Sequence, residues 1–382
     1  GISSTSLATR PCSFCLCKPP GCGATNCPPP FPSPAAVSHL KARLRPSQAP
    51  LCDYTPRLSE EKKMDLRVFR SLWGCEDEFD GLRSSDKSGD KCAAATKLFG
   101  RLRDAGFAGV EASLGDVQAY TESETEFVKV KEQAKVDLIA GVYTSWHDYE
   151  GPWNAGLVSK EAQLQELESQ LQRVKKLQPV HVNVHAGSDF WDFETAQSFF
   201  ADALCMTDGF DLGERWGRPV RVSFETHRGR ALFHPATTYR LCQQFPSLRL
   251  TLDVSHWMTV CERLITPDSS PLDKDLLKLV AQRTDHIHAR VGHEQRAQVH
   301  SLEDPRFKEA IDAHEVWWDA VWQAQRSAGD AFSLMTPEFG PPPYMPTDQK
   351  SGEPLTDLDE ICKAQMHRQR DRFGTFVKGK ST

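Results

Sequence analysis

The sequence predicts a single (β/α)8 barrel, an α/β TIM barrel, behind a disordered N-terminal extension. Three observations predict it. From about residue 64, eight short β-type runs alternate with longer amphipathic segments. Inside several runs apolar and polar residues alternate with a period of two, as strands lying between helices and a barrel interior require. The polar positions gather toward the C-terminal ends of the runs, the face on which such barrels build their sites.

The β-type runs are LRVFRSLWG (66–74), AGVEASL (108–114), VDLIAGVYTSW (136–146) and VHVNVHAG (180–187). VRVSFETH (220–227), LRLTLDVSHW (248–257), HIHARVG (286–292) and FSLMTPEFG (332–340) follow. Helix-like stretches cover 91–105, 158–177, 192–206, 305–328 and about 355–372. The second of these is rich in strong helix formers with i, i+4 charge pairs, and Ser159 suits its N-cap. A doubly wound open sheet would carry a Gly-rich phosphate turn after its first strand. Here LWG runs into the acidic CEDEFDGL, so the barrel is favoured.

Strand parity sorts the side chains. Val182 and Val184 oppose His181, Asn183 and His185, while Val222 and Phe224 oppose Ser223 and Glu225. Leu250 and Leu252 oppose Thr251 and Asp253, and Ile287 and Ala289 oppose His286, His288 and Arg290. The apolar set faces the helices and the polar set faces the interior.

Composition narrows the function classes. The 382 residues are 39% hydrophobic and 26% charged with a net charge of −6, an ordinary globular balance. No stretch approaches the ~18 consecutive apolar residues of a membrane span, so no membrane partner is expected. The acidic balance argues against nucleic acid and leaves a small molecule as the expected partner. A homo-oligomer is compatible with the sequence.

Residues 1–52 contain no Asp or Glu, five basic residues and six of the 12 cysteines. So Pro-rich and Ser-rich a segment cannot bury enough surface to offset its chain entropy. Residues 1–60 are therefore read as a disordered extension and residues 61–382 as the barrel. The extension resembles an organelle transit peptide, and translated non-coding sequence is an alternative. The expected location is cytoplasmic, or organellar if this segment directs transport. Cys12, Cys15, Cys17, Cys22 and Cys27 include zinc-ligand spacing but lack a second spaced pair, so an unstructured tract is favoured. The later cysteines are scattered singly, which suits reduced thiols.

Glu225, Asp253, His288 and Glu338 end strands five to eight and project into one mouth. Three carboxylates so close repel one another, and desolvation worsens this. A single divalent cation relieves it, and three oxygens with one nitrogen suit manganese, cobalt, magnesium or zinc.

FETHRG, LDVSHW, HIHARVG and PEFG resemble the strand-end motifs of the xylose-isomerase-like barrels, over about residues 65–375. That superfamily holds sugar isomerases, ketose 3-epimerases, hydroxypyruvate isomerases, inosose dehydratases and endonuclease IV. The resemblance implies that Glu225, Asp253, His288 and Glu338 ligate one metal and that His256 contacts substrate. It further implies an isomerase or epimerase of a sugar, keto-acid or polyol, in which the metal stabilises an enediolate. Glu225 and Glu338 are then the candidate pair that removes and returns the proton.

His185 and Arg290 are expected to hold substrate oxygens, with a structural ion pair as the alternative for Arg290. Glu111 is read as a structural strand residue. Trp73, Trp146, Trp191 and Trp257 lie near strand ends, where flat rings suit a sugar, with Trp257 taken as a substrate contact. Trp317, Trp318 and Trp322 have helical spacing and are read as packing residues. No Gly-rich phosphate cup follows strands seven or eight, which favours an unphosphorylated substrate.

A dehydratase or lyase on the same framework stays open. Two rivals stand beside this reading. A zinc phosphodiesterase resembling endonuclease IV draws on His147 and His185 for further ligands. A non-catalytic small-molecule-binding barrel is the other, since fold alone never proves chemistry.

Overall fold

The computed structural model describes residues 64–85, 89–144 and 159–379. The expectations for residues 1–60, for the zinc-spaced cysteines there, and for Trp146 and His147 lie outside these residues.

Eight parallel strands close into a barrel. They are β1 (Asp65–Ser71), β2 (Gly109–Ser113), β3 (Asp137–Tyr143), β4 (His181–His185), β7 (Arg221–Glu225), β8 (Leu250–Leu252), β9 (Thr284–His288) and β10 (Phe332–Thr336). Their order round the wall is β1-β10-β9-β8-β7-β4-β3-β2. The remaining two strands, β5 (Glu214–Arg215) and β6 (Arg218–Pro219), form a small antiparallel ribbon.

The outer helices include α1 (Glu76–Ser85), α2 (Lys91–Asp104), α3 (Leu114–Tyr120), α4 (Glu124–Ala134), α5 (Lys160–Leu177) and α6 (Phe193–Gly209). The second half adds α7 (Pro235–Gln244), α8 (Val254–Val260), α9 (Pro271–Arg283), α10 (Lys308–Ala328) and α11 (Leu358–Val377). No described helix is long and apolar enough to cross a membrane.

Local rules account for the boundaries. Ser159 caps α5 by accepting from the Ala162 amide, as its sequence suggests. Gly329 ends α10 at φ 80°, in the left-handed region where glycine escapes the Cβ penalty. Trp317, Trp318, Val321 and Trp322 are buried on the inner face of α10, as the helical spacing requires.

The strand β8 is shorter than expected from LRLTLDVSHW. Asp253 ends it by capping α8, so the chain passes from strand to helix without a loop. The apolar parity set packs outward, with Val182, Val184, Phe224, Leu250, Leu252, Ile287 and Ala289 in the core between strands and helices.

The interior is layered. Phe69, Ile139, Val180, Phe332 and Leu334 form a separate apolar floor, on which Trp216 of the ribbon packs. Above it runs a buried polar chain. His181 Nε2 meets Ser223 Oγ at 2.7 Å, Ser223 Oγ meets Thr251 Oγ1 at 2.6 Å, and His286 Nε2 meets Thr336 Oγ1 at 2.9 Å. Burial drives the His181 imidazole down to about 4, so it is neutral at pH 7. This rigid platform carries the next layer, at the strand ends.

Candidate metal centre

Each strand end delivers one side chain inward by parity. Glu225 closes β7, His288 closes β9, and Glu338 lies two residues beyond β10. Asp253 is fixed by its capping role, since one of its oxygens, Oδ1, accepts from the Ser255 amide at 2.9 Å and the Ser255 hydroxyl at 2.6 Å. The first turn of α8 then brings His256 back over Asp253, with Nε2 3.5 Å from Oδ2. The D-x-x-H spacing is thus an i, i+3 pair across a strand-to-helix turn.

The four residues converge. One ligand-capable atom from each of Glu225, Asp253, His288 and Glu338 lies within 4.8 Å of the others, and all four residues are buried. His288 Nδ1 stands 2.9 Å from Glu338 Oε2 and 3.4 Å from Glu225 Oε2. Yet His288 Nδ1, Glu338 Oε2 and Glu225 Oε1 have no aligned hydrogen-bond partner. Buried polar atoms left so are rare and call for an explanation. Buried carboxylate and imidazole atoms gathered this closely suit a cation, so the donor set fits a divalent metal. Its mixture of carboxylates and imidazole admits manganese, cobalt, magnesium or zinc.

Charge is distributed unequally. Burial pushes the Glu225 carboxyl up, but His185 and His288 outweigh it and hold the group well below the ordinary range. Burial lifts Glu338 above that range, Glu225 adds to the lift, and His288 and Arg290 oppose it. For His288 burial pulls down, while Glu338, Glu111 and Glu225 outweigh it and raise the imidazole well above its usual value.

A second ring of residues holds this set. Asn183 donates to Glu225 Oε2 at 2.7 Å and also approaches Glu111 Oε1 at 3.2 Å. His185 Nε2 lies 2.7 Å from Glu225 Oε2, with its ring stacked on Tyr143 at 4.1 Å. Arg290 donates to Asp253 Oδ2 at 2.5 Å and reaches Glu338 Oε2 at 3.4 Å. It also lies 2.7 Å from His256 Nε2. Glu111 takes the far side of His288, with Nε2 at 3.0 and 3.2 Å from its two oxygens.

Among the residues singled out from sequence, Glu225, Asp253, His288, Glu338, His185, His256 and Arg290 all meet here. Arg290 makes the ion pair that was its alternative role and still borders the site. Trp257 requires a correction. It is fully buried in the helix-side core, where its indole N–H donates to the Leu232 carbonyl and its ring packs edge-on against Trp317 at 5.8 Å. As the fourth residue of α8 it points away from the interior, so it is a packing residue. Of the other tryptophans, Trp191 packs on Phe199 at 5.2 Å, and Trp73 meets Tyr344 edge-on at 5.1 Å.

Sequence reasoning assigned no site role to three residues that stand here. Glu111 opposes Val110 and Ala112 in GVEAS, so parity alone could have placed it inside. His227 lies two residues past Glu225 and shares its parity; its ring sits 3.7 Å from that of His256. Together with His185 and Glu225 it forms a further buried group able to hold a metal. Tyr344 lies in the irregular segment after β10, for which no periodicity exists.

Over residues 99–320 the sequence matches the family model of the xylose isomerase-like TIM barrel. No curated protein matches the sequence. Among solved structures, D-allulose 3-epimerase from Methylomonas sp. is 12% identical with a TM-score of 0.48, covering 81% of this chain and 98% of that one. The probable 3-DHS dehydratase AsbF, involved in petrobactin synthesis, from Bacillus anthracis is 15% identical with a TM-score of 0.46, covering 80% and 99%. Endonuclease IV from Thermus thermophilus is 17% identical with a TM-score of 0.39, covering 72% and 93%.

Proposed function

Because the chain belongs to the xylose isomerase-like TIM barrel family, we propose that it is a divalent-metal-dependent isomerase or epimerase of a sugar, keto-acid or related polyol. The observation that carries this reading is the convergence of Glu225, Asp253, His288 and Glu338, three of whose buried polar atoms lack an aligned hydrogen bond.

Glu225, Asp253, His288 through Nδ1, and Glu338 would hold the cation. When bound, it supplies Lewis acidity to a substrate carbonyl and neighbouring hydroxyl, which acidifies the C–H between them. The chain's own residues do the rest. Glu225 is held ionised by His185 and His288, the state from which a general base starts. Glu338, lifted by burial, is the readier of the two to carry one. Two carboxyls whose environments push their proton affinities apart supply an acid and a base in one site. Asn183 and His185 fix the Glu225 carboxylate, and Arg290 steadies Asp253 and Glu338.

A test is to count metal per purified chain and then screen ketoses and hydroxypyruvate for deuterium uptake from heavy water. About one manganese, cobalt, magnesium or zinc per chain, with metal-dependent uptake, is the expected result. A chain that takes up no metal on reconstitution overturns the reading and leaves a binding barrel.

The His185–Glu225–His227 group supports a second reading, a multinuclear zinc phosphodiesterase. Two or three tightly held zincs per chain with cleavage of abasic DNA would establish it instead.

A further inference from the structure

At the mouth of the barrel one arginine has no carboxylate partner among the described residues. Arg290 is paired with Asp253 and Glu338 and donates to Ser255. Arg230 is buried and donates to the Thr144 carbonyl. Arg228 is different. It is half-buried, and among the described residues no carboxylate pairs with it. It lies over the face of Tyr344, with the guanidinium carbon 5.1 Å from the ring centre.

The same ring anchors both arginines, since the guanidinium carbon of Arg290 lies 4.8 Å from its centre. Arg228 is therefore at most about 10 Å from Arg290, which touches two of the three clustered carboxylates. Trp73 packs edge-on against Tyr344 from the side. The result is an aromatic step at the rim of the carboxylate cluster with a guanidinium over it. Stacking on a ring orients the planar fork and lowers the entropy lost when it engages a partner. Its N–H donors match a planar or tetrahedral oxyanion in bidentate fashion.

We propose that Arg228, standing on Tyr344, is an anion subsite, and that the substrate is a polyol or sugar bearing a carboxylate or phosphate group. Resting on the proposed reaction, the inference seats the reacting carbon between Glu225 and Glu338 and the anionic end of the molecule at the rim. A neutral ketose would leave the guanidinium without a counter-charge among the described residues.

The test is calorimetric titration of the manganese-loaded full chain with D-gluconate, D-glucitol and D-glucitol 6-phosphate, which share a polyol chain and differ in charge. Wild type should bind at least one of the two acids tenfold or more tightly than glucitol, and the acid that wins names the anion. Arg228→Gln should bring that acid to parity with glucitol while leaving glucitol binding and Tm unchanged. Arg228→Lys should restore part of the preference, as a point charge without the fork. The proposal is overturned if both acids fail to bind more tightly than glucitol, or if Arg228→Gln keeps the preference. Solvent deuterium uptake is a separate readout. An acid preference lost in Arg228→Gln without any uptake would retain the subsite and reject the proposed reaction.

Discussion

Glu111 on β2 and His288 at the end of β9 stand three strands apart round the wall, yet meet across the interior at 3.0 Å. The contact uses Nε2 and leaves Nδ1 facing Glu338 and Glu225. A carboxylate behind an imidazole fixes its tautomer and raises its basicity, as in many metal centres. His288 and Asn183 hold Glu111 itself, and its carboxyl is lowered to about 2, the upward push of burial being outweighed by His288 and His286. Glu111→Gln should therefore weaken manganese binding by about 10–100-fold in a calorimetric titration. Unchanged affinity would return Glu111 to a purely structural role.

Asp253 serves two partners at once, the α8 amide end and Arg290. Asp253→Asn removes the charge opposite a fully buried guanidinium, which typically costs about 3–5 kcal/mol. Denaturant unfolding should register this loss, and metal retention should fall in the protein that remains folded. A variant as stable as wild type would mean that Arg290 finds its counter-charge in Glu338 alone.

Glu338→Gln keeps shape and removes the proton-carrying group. It should abolish deuterium exchange at the substrate carbon, a loss well beyond the ~10²–10⁴-fold typical of one acid–base group because Glu338 also holds the cation. Full retention of exchange would take Glu338 out of the proton-transfer pair.

At the opposite end of the barrel Asp285 is buried and receives Arg249 at 2.6 Å and Arg221 at 3.0 Å. Burial raises its carboxyl, but the Arg249 hydrogen bond and the two guanidinium charges outweigh this, and the net displacement is downward. A folded value below the unfolded one stabilises the protein at pH above about 3.9, and the gain disappears as pH falls through the folded value. Asp285→Asn should cost about 2 kcal/mol near neutrality, less than a fully buried pair because both arginines stay partly solvated. The gap in Tm between wild type and variant should close below about pH 4. A constant gap across that range would show that packing, not charge, is what the substitution removed.

Gly340 packs flat against Trp73, and a Cβ there would stand 2.0 Å from the ring. Gly340→Ala should displace Trp73 from Tyr344, at an overpacking cost of about 1–3 kcal/mol. Altered tryptophan fluorescence with a lower Tm is expected. An unchanged spectrum would mean that the ring has room to move aside.

How much was legible in the sequence follows from what periodicity encodes. Parity placed Glu225, Asp253 and His288 inside because a strand has only two faces, and the barrel gives one of them to the interior. The same parity applies to Glu111 and His227, yet it carries no sign of their role, since their partners come from other strands. Trp257 was misplaced for a related reason: Asp253 turns the chain into α8, and from that residue on a strand's two-fold rule no longer applies.

The sequence by itself therefore determined the barrel, the order of its elements and the four residues that end its last four barrel strands. Alternation and capping are local, and local chemistry decides them. Tertiary structure alone decided that Glu111 backs His288 across the interior, that Arg290 is neutralised, and that Arg228 stands over Tyr344. Those contacts join residues from 37 to 177 positions apart. Closure of the barrel brings them together, and no short-range pattern in the chain records which side chains will meet.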